Sequence, residues 1–554
     1  MKNFEYYREK RFYNFREIVD HVATTYTTRP AFRIKKDGET VTVTFSELRE
    51  RYYALCTHFL SSGLGGKRIA VMGKNCFEWV LAYLAAATVG VAVPLDKELH
   101  GNDVRDFASA AECAVICIAD GLCEKILPSL PEELPVLRFS ELWSLSDDEC
   151  DHAYATVGKL TFPKDEMQIL IFTSGTTGSA KGVCLSQYNI CSNIYSTVQT
   201  VKIKPEDTVL SILPLHHTYE CTLDCLLILS KGACITYCEG VTKLQKNLAE
   251  YRPTVLVGVP ILLKMLCKRI RHTLANQAPK KYRELFELHS LADALAKIPF
   301  PIRLIITSKV RKSLGGRLRM FIVGAAPLDT SLVADFAALG IRTLQGYGLT
   351  ETAPLLAGNS DFYLNPESTG KAVPGVTLKI DDPNADGVGE ILAKGDNIML
   401  GYYRDEEATR AVLDEDGWFH TGDLGCIDEA GDLFIRGRKK NVIVTENGKN
   451  IYPEELETRL SEYPDVSEVL VVTGKEHGET CVKAKIFPNL DLIREKLGAM
   501  PSADQIVAHI KKIVKEVNSR IPAYKQIRIV EVVKEALEKT TTQKIKRYGK
   551  NVDE

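Results

Sequence analysis

Short apolar runs alternate with mixed or amphipathic stretches from Arg68 onward: "RIAVMG", "CAVICIA", "QILIFTSG", "TVLSIL", "TVLVGVP", "RMFIVGA" and "IRTLQGYG". Each ends near a glycine or proline. That pattern predicts mostly parallel sheets layered with helices. The longest uncharged apolar run, Trp79–Leu95, is short for a membrane span and has Gly90 and Pro94 near its end, so it predicts a buried helix followed by a strand. From about Gly389 the period shortens to alternating strands with Asp-Gly and Gly-Asp turns ("GVGEILAKG", "DEDGWFHTGD", "DEAGDLFIRGR"), the pattern of a small antiparallel β-subdomain. After "RGRKKN" (Arg436–Asn441) come strands "EVLVVTG", "CVKAKIFP" and "IRIVEVV" and a helix around Ile506–Asn518, which predict a compact α+β domain.

Length and composition narrow the class. At 554 residues the chain has room for roughly three or four structural units. With 45% apolar and 26% charged residues it can bury a large core without a metal or disulfide. A net charge of −2 excludes a globally basic nucleic-acid binder but leaves room for a local patch. The start, "MKNFEYYREKRFYNF", has no apolar core of a signal peptide, and a cytoplasmic protein is expected. Fifteen cysteines fit that compartment. Cys221/Cys225 and Cys234/Cys238 have a zinc-like spacing, but "CTLDCLLILSKGACITYC" contains no histidine and reads as buried reduced thiols.

"FTSGTTGSAKGVCLS" (Phe172–Ser186) follows the apolar run "QILIF". Its hydroxyls and glycine-exposed N–H groups can wrap an anion, and Lys181 adds a point charge. It is not a Walker A loop: Lys181 follows Ala180 rather than a glycine, and Gly182 stands where Ser or Thr would hold Mg²⁺. The loop falls at the carboxyl end of a predicted strand, where open α/β sheets bind ligands.

Four further motifs follow Thr173–Lys181 in order: "QGYGLTET" (Gln345–Thr352), "WFHTGD" (Trp418–Asp423), "GRKKN" (Gly437–Asn441) and "TTTQKIKR" (Thr540–Arg547). Over nearly its whole length the chain resembles the adenylate-forming superfamily of acyl- and aryl-CoA synthetases, adenylation domains and luciferases. "LPLHHTYE" (Leu213–Glu220), "FIVGAAPLD" (Phe321–Asp329) and "GRKKNVIVTENGKNIYPEELE" look most like the bacterial long-chain fatty acyl-CoA synthetases. The resemblance implies a large amino-terminal domain (1–437) holding ATP and acyl sites, a hinge (438–440) and a small mobile carboxy-terminal domain (441–554). It also implies ATP, Mg²⁺ and CoA: a carboxylate attacks the α-phosphate to give acyl-AMP and pyrophosphate, and a thiol then expels AMP.

The roles carried over by the resemblance are specific. Thr173, Ser174, Gly175, Thr176, Thr177, Gly178 and Lys181 would hold the β- and γ-phosphates. Glu351 would be the Mg²⁺ ligand and Thr350 a donor to the α-phosphate. Gln345, Gly346, Tyr347 and Gly348 would bind adenine, with Tyr347 stacking, and Gly324, Ala325 and Ala326 would line its other side. Asp423, read as a turn carboxylate, would accept the ribose hydroxyls beside Arg438. His217 would border the acyl site and Glu220 would orient the neighbouring helix; His216 has no such match and reads as a packing residue. Lys544 would bridge the carboxylate and α-phosphate, Lys440 would be the hinge, and Asn441 and Gly448 would line the thiol tunnel. The segment around Lys544 departs from the usual P-K-T-x-x-G-K: here it is "EKTTTQK", with Glu538 and Gln543.

Lys264–Arg319 carries fourteen Lys/Arg against three Asp/Glu. It reads as a solvated helical face, as a peripheral contact with an anionic membrane supplying fatty acid, or as a funnel for the phosphates of CoA. No carrier domain is attached, which favours free CoA, and no obligate protein partner is implied. The expected activity is therefore acyl-CoA ligation of a medium- to long-chain fatty acid. The alternatives are loading of a separate carrier protein and, in another class, an inactive nucleotide- or lipid-binding relative.

Overall fold

The apolar runs become strands and the mixed segments between them become helices. A computed structural model describes residues 6–36, 38–145, 150–173, 180–444, 449–476, 479–497, 501–539, 545–547 and 549–552. The chain divides into two compact units, Met1–Leu378 with Ala393–Phe419, and Lys379–Leu392 with His420–Glu554.

The first unit is built on two mixed sheets. The larger has nine strands in the order Lys371–Ala372, Leu355–Gly358, Arg342–Gly348, Met320–Val323, Val255–Gly258, Thr208–Ser211, Cys234–Tyr237, Pro30–Lys36 and Glu39–Thr44. Its central strands pair in parallel, and antiparallel pairs close both edges. The seven-stranded sheet runs Gly401–Tyr402, Lys181–Leu185, Ile169–Thr173, Val91–Leu95, Arg68–Met72, Cys113–Ile118 and Val136–Arg138, again parallel apart from the first two pairings. The apolar run Trp79–Leu95 resolves as expected into a buried helix, Phe77–Val89, and the strand Val91–Leu95. Among the described residues, no helix is long and apolar enough to cross a membrane.

The second unit contains a three-stranded sheet, Val466–Glu476, Glu479–Pro488 and Ile527–Val532, covered by Pro453–Ser461 and Ala503–Asn518. Val376–Asp381, Gly389–Gly395, Phe419–Ile427 and Leu433–Arg438 make a small four-stranded sheet, most of it in this unit, in which Phe419–Ile427 and Leu433–Arg438 pair antiparallel as expected. By contact, Lys379–Leu392 and His420 through Gly437 group with the carboxy-terminal residues. Strand Leu433–Arg438 pairs with Phe419–Ile427 and packs against helix Pro453–Ser461, so 438–440 continues from a strand already anchored in this unit.

Candidate active site

Thr173 and Lys181 are register partners across an antiparallel pair, and the Thr173 hydroxyl donates to the Lys181 carbonyl at 3.3 Å. Ser174, Gly175, Thr176, Thr177 and Gly178, the rest of the expected phosphate loop, lie outside the described residues. Thr350 and Glu351 stand on a short 3₁₀ turn, Thr350–Thr352. Asn397 donates to the Thr352 carbonyl at 2.7 Å and Met399 N–H to the Glu351 carbonyl at 2.8 Å, which fixes the turn against the following segment. The Glu351 carboxylate accepts from the Tyr402 hydroxyl at 3.0 Å, and Lys181 Nζ stands 4.6 Å from the Tyr402 ring centroid.

A hard divalent cation suits this donor set. Mg²⁺ is commonly held by one or two carboxylates plus substrate phosphate oxygens. Glu351 supplies one carboxylate, and the Tyr402 hydrogen bond engages its Oε1 rather than its Oε2. No cluster of three or more His, Cys, Asp or Glu that would make an all-protein cage occurs among the described residues. When bound, Mg²⁺ would neutralise charge on the phosphates.

The adenine candidates meet at adjacent strand ends. Val323 is in register with Gln345, so Gly324, Ala325 and Ala326 leave one strand beside the strand carrying Gln345, Gly346, Tyr347 and Gly348. Ala325 has φ 69°, a left-handed conformation that costs a non-glycine residue and marks this turn as held by its surroundings. Gly348 has no room for a side chain: a Cβ there would lie 1.8 Å from the Pro354 carbonyl oxygen. That close crossing sets the position of half-buried Tyr347 between its glycines.

His217 ends a tightly held loop. Asn75 donates to Ser211 Oγ (2.8 Å) and to the Leu213 carbonyl (2.6 Å), and its Oδ1 accepts from Leu215 N–H at 3.1 Å. Glu220 Oε1 accepts from Ser211 Oγ at 2.6 Å and from Ile212 N–H at 3.1 Å. Glu220 opens a π-helix, Glu220–Leu226, a winding often found beside functional sites. It thus secures the end of the strand preceding His217, a more specific role than orienting a helix. Burial pushes the Asp224 carboxyl up to about 7. Burial and the neighbouring Asp224 carboxyl together raise Glu220 well above the ordinary range. The His216 ring lies 4.0 Å from that of His217, and its Nε2 lies 3.5 Å from Asp96. Burial, with Lys97 adding to it, pushes His216 down to about 3, so its contact with Asp96 is that of a neutral imidazole.

The remaining candidates belong to the second unit. Asp423 is not in a turn. It sits inside strand Phe419–Ile427, where inward positions alternate as Phe419, Thr421 and Asp423. Asp423 is in register with Arg438, whose Nε lies 2.7 Å from its Oδ1. The hydrogen-bonding ladder and the burial period made a strand of what reads as turn chemistry. Burial and the charges of Arg438 and Arg547 hold the Lys440 ammonium below its ordinary range. Asn441 Nδ2 donates to Glu454 Oε1 at 2.6 Å. Gly448 and Lys544 lie outside the described residues. On either side of the Lys544 segment, Lys539 and Ile545 form an antiparallel bridge, and Arg547 donates to Glu457 at 2.5 Å.

The fold therefore brings Lys181 to Glu351 through Tyr402, Gln345 to the turn after Val323, and Asp423 to Arg438. Sequence reading missed Tyr402 and Asn75. Each is a common residue type with no chemical signature, and only pairing across the fold gives it partners.

The AMP-binding enzyme family model matches residues 19–403, and the AMP-binding enzyme C-terminal domain model matches 440–550. The long-chain-fatty-acid–CoA ligase FadD15 of Mycobacterium bovis is 28% identical over 92% of this chain and 90% of its own length. The long-chain-fatty-acid–CoA ligase heimdall of Drosophila melanogaster is 31% identical over 79% of this chain and 70% of its own. Among solved structures, ATP-bound MatB from Rhodopseudomonas palustris superposes with a TM-score of 0.75 at 24% identity, covering 96% of this chain and 97% of its own. The o-succinylbenzoate coenzyme A synthetase MenE of Bacillus subtilis, in complex with AMP, gives 0.74 at 21%, covering 97% and 98%. At these identities the structures speak for the fold, while the family model spans well over half the chain: the protein belongs to the AMP-binding enzyme family.

Proposed function

We propose that this chain is an AMP-forming acid–thiol ligase that activates a medium- to long-chain fatty acid with ATP and transfers it to CoA. A carboxylate oxygen attacks the α-phosphorus, the bond to pyrophosphate breaks, and the CoA thiol then attacks the acyl carbon and releases AMP. The observation that carries the reading is the meeting of Glu351 and Lys181 at one tyrosine, an anion and a cation gathered at the end of the phosphate-loop hairpin. In this reading Lys181 neutralises phosphate charge, Glu351 holds Mg²⁺, Asp423 and Arg438 take the ribose, and Lys544 serves adenylation. The fatty acid is supported by the ligases to which the chain is similar over most of its length. The test is pyrophosphate release over acids of graded length, with and without CoA. Release that peaks at long chains and yields acyl-CoA is expected. Acyl transfer only to a carrier protein, or no release with any acid, overturns it.

The partner surface rests on a separate observation. Six of the fifteen exposed large apolar side chains among the described residues, Ile261, Met265, Leu288, Phe300, Leu304 and Ile305, fall within the helices of the basic stretch. Phe300, Leu304 and Ile305 are 62%, 51% and 58% exposed, and lie four and five residues apart on helix Phe300–Ser313, followed by Lys309 and Lys312. An apolar stripe continued by cations suits a cytoplasmic protein that docks on an anionic membrane. Binding to phosphatidylserine vesicles is expected to weaken as salt rises, on charge reversal of Lys280 and Lys281, and in Phe300→Ser/Leu304→Ser. Equal binding to neutral and anionic vesicles overturns this part.

A further inference from the structure

We propose that Tyr402 is a positioning residue for the phosphate end of the site, with its hydroxyl orienting Glu351 and its ring holding Lys181. The inference rests on the reading of those two residues as metal ligand and phosphate cation. Tyr402 is pinned by backbone. Its strand, Gly401–Tyr402, pairs antiparallel with Lys181–Leu185, Tyr402 opposite Val183. Leu400 N–H donates to the Cys184 carbonyl at 2.9 Å, Tyr403 N–H to the Gly182 carbonyl at 2.7 Å, and Tyr402 N–H to Thr409 Oγ1 at 2.9 Å. Gly182 permits that approach, since a Cβ there would stand 2.9 Å from Leu170 Cδ1 and 3.1 Å from Tyr403 Cβ. Met399 N–H holds the Glu351 carbonyl, so the carboxylate's turn hangs on the same short segment as the tyrosine.

The side chain then divides its work. Its hydroxyl takes one oxygen of Glu351 and leaves the other for a cation, the usual arrangement by which an outer hydrogen bond orients a metal-binding carboxylate. Its ring attracts the Lys181 ammonium through the quadrupole. Neither contact belongs to the chemistry itself, so Tyr402 acts through its neighbours.

The test measures binding rather than turnover. Mn²⁺, as a paramagnetic substitute for Mg²⁺, is titrated by electron paramagnetic resonance into the full chain with α,β-methylene ATP, and nucleotide binding is measured separately without metal. Tyr402→Phe keeps the ring and loses the hydroxyl; it is expected to weaken Mn²⁺ binding about tenfold and leave metal-free nucleotide binding unchanged. Tyr402→Leu loses both and is expected also to weaken metal-free nucleotide binding several-fold. Glu351→Gln is run alongside as the reference for the site. Unchanged Mn²⁺ binding in Tyr402→Phe, with a loss in Glu351→Gln, overturns the role of Tyr402 alone. Unchanged binding in Glu351→Gln overturns the underlying assignment and this inference with it. Equal losses of both affinities in the Phe and Leu variants overturn the division between hydroxyl and ring.

Discussion

Replacing Glu220 by alanine tests whether a buried carboxyl secures the loop that carries His217. The side chain is fully buried, and its Oε1 accepts from Ser211 Oγ and Ile212 N–H. Truncation strands the Ile212 N–H away from water, at a cost of about 1–3 kcal/mol. Loss of the ordinary hydrogen bond from Ser211, whose hydroxyl stays engaged by Asn75, adds about 1 kcal/mol. The cavity left by the missing atoms adds on the order of 1–2 kcal/mol. Relief of the contact with Asp224 offsets part of this, so Glu220→Ala should destabilise by about 3–5 kcal/mol. Glu220→Gln keeps an acceptor oxygen for Ser211 and Ile212 and turns an N–H₂ group toward Asp224, so it should stay within about 1 kcal/mol of the parent. The readout is urea unfolding followed by tryptophan fluorescence, because Trp79, Trp143 and Trp418 all lie in the first unit. Acyl-adenylate formation should fall on the order of a hundredfold in the alanine variant, as the loop that positions His217 shifts, and should be largely kept in the glutamine variant. An alanine variant within about 1 kcal/mol of the parent, or a glutamine variant as unstable as alanine, refutes the reasoning.

The buried Asp224 adds a pH dependence. Its carboxyl is raised from an ordinary value near 4 to about 7, so the folded state holds a proton that the unfolded state has lost; stability is full below about 4 and declines as pH rises through 7. Asp224→Asn should therefore gain on the parent by at least about 1 kcal/mol between pH 5 and pH 8 in the same unfolding assay, and a constant difference contradicts the buried proton. Asp423→Ala should raise the KM for ATP about tenfold to a hundredfold through loss of charge-assisted hydrogen bonds to ribose, with a smaller effect on the acid; an unchanged KM for ATP removes Asp423 from the ribose site. Lys544→Ala should block acyl-AMP formation yet still convert supplied acyl-AMP and CoA to product, while Gly448→Leu should do the reverse. Loss of both half-reactions in folded Lys544→Ala contradicts a division of labour between two poses.

The sequence by itself determined the strands, the layered α/β class, the small antiparallel sheet and the family's ordered motifs. Those features are local: short apolar runs bounded by glycine or proline, such as "RMFIVGA", favour buried strands, and "QGYGLTET" carries its glycines, hydroxyls and carboxylate within one short segment. Tertiary structure decided what depends on partners far along the chain. Asp423 reads as a turn residue until the ladder with Arg438 and the burial of alternate positions make it part of a strand. The grouping of Lys379–Leu392 with His420–Glu554 follows from which strands pair and pack, which no local run such as "RGRKKN" encodes. Tyr402 is one aromatic among twenty-two tyrosines in the sequence. Only the pairing of Gly401–Tyr402 with Lys181–Leu185 and the tether from Met399 to Glu351 give its ring a cation and its hydroxyl a carboxylate, because hydrogen-bond partners are set by the path of the backbone in space.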